Sequence, residues 1–243
     1  MAVLEGKVAV VTGAGTGIGF ATARAFRDEG ATVFLTGRRK DVLDAAVAEL
    51  GPVTGVVCDA SDPAELDALY GTVRDRAGRI DVLVANAGIG IAAPFGEVTE
   101  DLIDSVFATN VKGTIFTLQQ ALPLLSENAS VILTGSTAAT RPDPGLEVYG
   151  ASKAAVRALA RGWARSARSH GFRVNVVSPG GTRTPGLLEL VAPEMLEQAE
   201  GAVPLGRLAE PEEIAAVTTF LASDASSYVN GAEFFADGGY AQV

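Results

Sequence analysis

Val8-Ala-Val-Val-Thr-Gly-Ala-Gly-Thr-Gly-Ile-Gly19 decides the fold of this 243-residue chain. The small apolar residues Val8–Val11 read as a short buried strand, and the glycines after them read as a tight turn. Phe20–Arg27 then continues as a helix. Glycines in a strand-to-helix turn let the backbone come close to a pyrophosphate, which rests on the N–H groups of the helix N-terminus. Ile18 breaks the GxGxxG spacing, whereas Gly13, Gly17 and Gly19 satisfy GxxxGxG. A purely structural turn is the alternative reading of the glycines alone. Their place between a strand and a helix favours phosphate binding.

Further along, apolar runs alternate with amphipathic stretches almost to the end. The runs are Val8–Val11, Ala31–Leu35, Val53–Val57, Asp81–Ala85, Val131–Thr134, Arg173–Val177 and Glu233–Phe235. Helices are expected over 17–29, 40–50, 62–77, 99–125, 147–170 and 211–222. Seven buried runs separated by helices imply a parallel sheet covered on both faces. Thr99 with Glu100 and Asp101, and Pro211 with two glutamates, look like helix starts. No linker or repeat interrupts the pattern, so residues 1–243 read as a single domain. Residues 183–206 differ: Pro185, Pro193 and Pro204 interrupt apolar residues such as Leu187, Leu188, Leu190 and Met195. That pattern reads as a mobile helical lid over a site.

Composition bounds the function. A formal charge of −10 disfavours nucleic acid, anionic membranes and acidic protein partners. The single cysteine, Cys58, has no intramolecular disulfide partner. The N-terminus reads as a first strand and not as a signal peptide. No apolar run approaches the ~20 residues that span a bilayer, so a soluble cytoplasmic protein is expected. His170, the lone histidine, ends a helix and reads as no metal ligand; Trp163 shares a helical stripe with Ala155 and Leu159 and reads as core or subunit packing.

The candidate chemistry lies in Tyr149-Gly-Ala-Ser-Lys153, with Ser136 thirteen residues before the tyrosine. Residues four apart share one helix face, so the ammonium sits beside the phenol and favours its ionised form. A free phenol titrates near pH ~10; a cation and a helix N-terminus are expected to move Tyr149 toward neutrality, fit for general acid–base work. Taken alone, the pair is also compatible with an ordinary helix surface.

Thr12-Gly-xxx-Gly-Ile-Gly19, Asn86-Ala-Gly88, Asn110, Ser136, Tyr149xxxLys153 and Pro179-Gly180 stand in the order and spacing of the short-chain dehydrogenase/reductases. Pro204-Leu-Gly-Arg207, Pro211-Glu-Glu-Ile214, Phe220-Leu-Ala-Ser-Asp224 and Asp237-Gly-Gly239 match as well, so the chain resembles that family over essentially its whole length. The resemblance implies a Rossmann-type doubly wound α/β domain with a seven-stranded parallel sheet in the order 3-2-1-4-5-6-7. It also implies hydride transfer between a nicotinamide cofactor and a ketone or secondary alcohol, with carbonyl reductases similar to 3-oxoacyl-(acyl-carrier-protein) reductase as the nearest type.

By the same resemblance Tyr149 exchanges the proton, Lys153 lowers the tyrosine pKa and bonds the nicotinamide ribose, Ser136 holds the substrate oxygen, and Asn110 anchors a water linking Lys153 to solvent. Cofactor contacts fall at Gly13, Thr16, Ile18, Gly19, Asn86 and Gly88, with Asp59 and Ala60 at the adenine. Pro179, Gly180, Thr182 and Thr184 hold the carboxamide. NAD enzymes of this fold end the second strand in an acid; here Gly37 stands there, followed by Arg38 and Arg39, so NADP(H) is expected with Arg38 on the 2′-phosphate and NAD(H) as the alternative. Gly15 and Thr16 depart from the Ser or Arg of many NADP-preferring relatives. A homotetramer built on the 99–125 and 147–170 helices is implied too, the second being smoothed by Ala151, Ala154, Ala155, Ala158 and Gly162. Two other classes remain open at this stage: a dinucleotide-binding regulator without catalysis, and a Rossmann methyltransferase. An acyl carrier partner would need a basic surface, for which Arg141, Arg168 and Arg173 are the candidates.

Overall fold

Successive residues of the central strands enter opposite cores. Val8 and Val10 join one apolar cluster and Ala9 and Val11 the other, and Val131 and Leu133 face away from Ile132 in the same way. Every position of β1 (Val8–Val11) is buried, which is why the run is continuously apolar and does not alternate. The computed structural model describes residues 2–191 and 193–243.

The sheet has seven strands in the order β3-β2-β1-β4-β5-β6-β7. The others are β2 (Thr32–Gly37), β3 (Thr54–Val57), β4 (Ile80–Ala85), β5 (Leu125–Thr134), β6 (Arg173–Pro179) and β7 (Glu233–Ala236), and every pairing is parallel. The helices of one face are α1 (Gly17–Asp28), α2 (Lys40–Leu50) and α9 (Pro211–Ala222), which contribute Phe26, Leu43 and Leu221 to its core. On the other face α3 (Pro63–Ala77), α5 (Gly113–Ala121) and α6 (Glu147–Ser166) contribute Leu69, Leu118 and Val156. Trp163 packs at the margin of this second core, partly buried. The result is the doubly wound Rossmann-type fold that the sequence pattern implies. Strand order reverses at β1, which pairs with β2 on one side and β4 on the other. A crevice opens where connections leave such a switch point in opposite directions.

The long helix expected over 99–125 is divided. It forms α4 (Glu100–Phe107), a π turn at Ala108–Lys112, and α5, then gives way to a short 3₁₀ turn ahead of β5. Thr99 caps α4 by accepting from Leu102 N–H. β5 begins at Leu125, earlier than expected, with a register shift opposite Ile80 and Val82. The 183–206 stretch contains α7 (Pro185–Leu190) and α8 (Pro193–Gly201). Ala192, which belongs to the lid expectation, lies outside the described residues.

Candidate active site

At the carboxyl ends of β1 and β4 the backbone is locked before any ligand is considered. Thr12 Oγ1 accepts from both Asn86 N–H and Ala87 N–H, at 3.0 and 3.1 Å. Asn86 returns its two amide protons to Thr12 O (3.0 Å) and Gly13 O (3.1 Å). Its side chain is thereby committed to bracing the sheet, and a cofactor contact in this segment falls to the backbone. A Cβ on Gly13 would lie 2.8 Å from Ala87 Cα, and one on Gly19 would lie 2.5 Å from Gly13 O. Only glycine permits this turn.

The turn forms one end of a cleft of about 550 Å³. Thr16 caps α1 without its side chain accepting a bond, so the N–H groups of Gly17, Ile18 and Gly19 stand at the cleft wall without a side-chain acceptor. That set of donors, with glycine where a side chain would intrude, fits the pyrophosphate of a dinucleotide. Gly37, Arg38, Asp59 and Ala60 line the same end. Arg38 is exposed and pairs with Asp59 at 3.7 Å. Burial works to raise the Asp59 carboxyl, but two hydrogen bonds from Ser61 and the Arg38 charge outweigh it and hold the carboxyl below its usual range.

The other end holds Ser136, Tyr149 and Lys153, together with Gly88, Pro179, Gly180, Thr182 and Thr184. Lys153 is only 4% exposed, and its ammonium donates to Thr134 O at 2.8 Å. Its nitrogen lies 5.8 Å from the centre of the Tyr149 ring. Burial pulls the Lys153 pKa down to about 8. The expected lowering of the Tyr149 pKa is not the net result. Burial raises it, and Ser136 only partly offsets the rise by hydrogen bonding. Desolvation is the largest cause of the shift in both groups.

Asn110, 1% exposed, sits in the π turn and grips a neighbouring loop. Its Oδ1 accepts from Ile89 N–H (2.8 Å), and its Nδ2 donates to Ile89 O and Ser152 Oγ (2.9 Å each). Ser152 in turn donates to Tyr149 O at 2.7 Å. The side chain is thus held by Ile89 and Ser152. A Cβ on Gly88 would lie 3.2 Å from both Asn110 Oδ1 and Lys153 Nζ, so this glycine threads between them. Thr184 accepts from Leu187 N–H and caps α7, and its methyl would lie 3.1 Å from a Cβ on Gly17. The start of α7 thus packs against the glycine turn.

Several cleft residues escaped the sequence reading: Thr134, Ile89, Gly90, Asp143 and Leu146. Thr134 carried a signal, as a polar residue at the carboxyl end of an apolar strand. The three arginines considered for a carrier protein do not converge. Arg141 stacks on Tyr240, whereas Arg173 opens β6 at the amino end of the strands, opposite the cleft, and donates to Val229 O and Leu221 O. His170 is exposed, beside Ser169.

The sequence model of a family described as enoyl-(acyl carrier protein) reductase matches residues 13–241. The chain belongs to the short-chain dehydrogenase/reductases. An oxidoreductase of Sarocladium schorii is 48% identical over 99% of this chain and 98% of its own. The 3-oxoacyl-(acyl-carrier-protein) reductase of Thermotoga maritima is 39% identical over 97% of this chain and 98% of its own. A crystal structure titled as a glucose/ribitol dehydrogenase of this family from Brucella melitensis superposes with a TM-score of 0.95 at 35% identity, covering 99% of each chain. As a short-chain dehydrogenase/reductase, the protein is an NAD(P)-dependent oxidoreductase acting on CH–OH/C=O groups. No described helix is long and apolar enough to cross a membrane.

Burial of Lys153 has a consequence for stability. The unfolded ammonium titrates at 10.5 and the folded one at about 8. Between those values the unfolded chain binds more protons, so stability rises with pH across that window and carries the full penalty below it. Urea titrations of wild type minus Lys153→Met should show this rise. Tyr149 opposes it only above pH ~10 and is common to both proteins. Parallel curves from pH 8 to 10 would mean that the ammonium is not desolvated.

Proposed function

We propose that the enzyme moves a hydride between NADP(H) and a ketone or secondary alcohol, with Tyr149 as general acid and base. The observation that carries the reading is Lys153, a nearly buried ammonium beside Tyr149 in the same cleft as the glycine turn. A nicotinamide cofactor held there supplies the hydride. Gly13, Thr16, Ile18, Gly19 and Gly88 would bring backbone to it; Asp59 and Ala60 would meet the adenine. Pro179, Gly180, Thr182 and Thr184 would hold the nicotinamide end, with Lys153 on the ribose.

In the reducing direction Tyr149 gives its proton to the carbonyl oxygen, and Ser136 holds that oxygen by hydrogen bonding. A phenol pushed up by burial and an ammonium near 8 both keep their protons at neutrality, which is the donor state. As negative charge develops on the phenolic oxygen, the adjacent ammonium stabilises it. Asn110 and Ser152 position the helix turn that carries Tyr149 and the loop opposite. Two smooth helices, α6 and the α4–α5 pair, support a homotetramer, since Ala151, Ala158 and Gly162 stand exposed on α6.

Tyr149→Phe should lower kcat by about 10²–10⁴-fold while NADPH affinity stays nearly unchanged. A variant retaining more than about a tenth of the wild-type kcat would remove Tyr149 from the proton transfer.

NADP(H) preference rests on the end of β2. Gly37 lies beside Gly15, with 3.9 Å from its would-be Cβ to Gly15 N, so the acid that would repel a 2′-phosphate is missing at the place it would stand. Arg38 follows, exposed and steadied by Asp59. Arg38→Ala should raise KM for NADPH by about tenfold more than for NADH, the loss of a charge-assisted bond. Higher kcat/KM with NADH in the wild type would refute this assignment.

Residues 183–206 act as the lid. Thr184 seats it on Gly17, and Arg183 ties it through ion pairs to Glu200 of α8 and Glu210 before α9. Hydrogen exchange in α7 and α8 should slow when cofactor and a substrate are both present. Exchange indifferent to ligands would mean a fixed wall.

A further inference from the structure

Five charged side chains line the cleft: Arg38, Arg39, Asp59, Asp143 and Lys153. The first three stand at the ends of β2 and β3. Asp143 follows β5, three strand intervals from β2, or about 14 Å across the sheet. Lys153 is buried and turned to Thr134 O. Among the described residues, Asp143 is therefore the exposed charge at the substrate end of the cleft, whose lining also includes Ile89, Leu146 and Leu187.

This carboxylate is held from an unexpected direction. The phenol of Tyr240, three residues from the C-terminal residue of the sequence, donates to Asp143 Oδ1 at 2.5 Å. Arg141 fixes Tyr240 in turn: its guanidinium lies 4.4 Å from the ring centre and donates to Tyr240 O. The tail itself is anchored, because Asp237 accepts from Gly239 N–H and Ala241 N–H, each at 2.9 Å. Arg141 is engaged with Tyr240 and forms no ion pair with Asp143 among the described residues. No described residue donates to Asp143 Oδ2, and Asp143 is among the residues that line the cleft.

We propose that Asp143 is a specificity-determining residue and that Tyr240 and Arg141 are its positioning residues. A fixed negative charge beside the approach to Tyr149 selects neutral carbonyl compounds, above all those carrying a second hydroxyl within reach of Oδ2. It rejects substrates that are anionic near the carbonyl, such as keto acids and phosphorylated thioesters. The inference rests on the proposed carbonyl chemistry of this cleft.

Matched ketones that differ only in charge test it: ethyl acetoacetate against acetoacetate, and methyl levulinate against levulinate. The wild type should favour the neutral member, with the gap narrowing as salt is added. Asp143→Asn should shift the ratio of kcat/KM by about tenfold toward the anion and remove most of its salt dependence. Asp143→Glu keeps the charge and should keep the wild-type preference. Tyr240→Phe should give an intermediate ratio, with the change in KM. Thermal melting and NADPH titration check that each variant folds. A ratio and salt dependence within about twofold of wild type in Asp143→Asn would overturn the role of Asp143. A wild type that reduces no neutral ketone is a different failure: it would overturn the proposed carbonyl chemistry, and this inference with it.

Discussion

The structure depends on the exchange of hydrogen bonds between Thr12 and Asn86 across the ends of β1 and β4. Two adjacent parallel strands leave a sheet in opposite directions here, and nothing in strand pairing alone fixes where their loops go. The exchange fixes both. It forces Gly13 against Ala87, which sets the turn into α1, and it sends the chain from Asn86 past Lys153 and Asn110. Buried hydrogen bonds of this kind are worth about 1 kcal/mol each when made and more when one partner is removed. Their effect on geometry exceeds their effect on stability.

From that lock the cleft grows in two directions with different physics. Toward β2 and β3 it is open and polar, with an exposed arginine, a carboxylate and a row of backbone N–H groups. Toward β5 and β6 burial governs Tyr149 and Lys153, while Asp143 stays exposed. Lys153 is pulled down from 10.5 to about 8 and Tyr149 is pushed up from 10.0, so two groups with nearly equal free values are driven apart in proton affinity.

The sheet order and the two covered faces were legible because each strand is a continuous apolar run bounded by turn residues. That Ser136, Tyr149 and Lys153 share one cleft was legible only from the set, since a Tyr and a Lys four apart mean little without Ser136 and the glycine turn. What the sequence concealed has physical reasons. The π turn at Ala108–Lys112 arises from tertiary contacts, with Asn110 gripping Ile89 and Gly113 close to Ala60 O, and no local preference announces it. The rise in the Tyr149 pKa depends on how much water is excluded, which spacing along a helix does not report. The Tyr240–Asp143 bond joins residues 97 apart, each of them unremarkable in its own segment.

The seat of Thr184 on Gly17 makes the glycine turn and the start of α7 one mechanical part. A side chain added at residue 17 would push on both at once, so neither can be reshaped alone. The loops after β2 and before α6 lie away from that seam and are largely exposed. Variation is inexpensive there and severe at the seam. The two outlying loops can therefore take new side chains independently of each other, while the joint between them stays untouched.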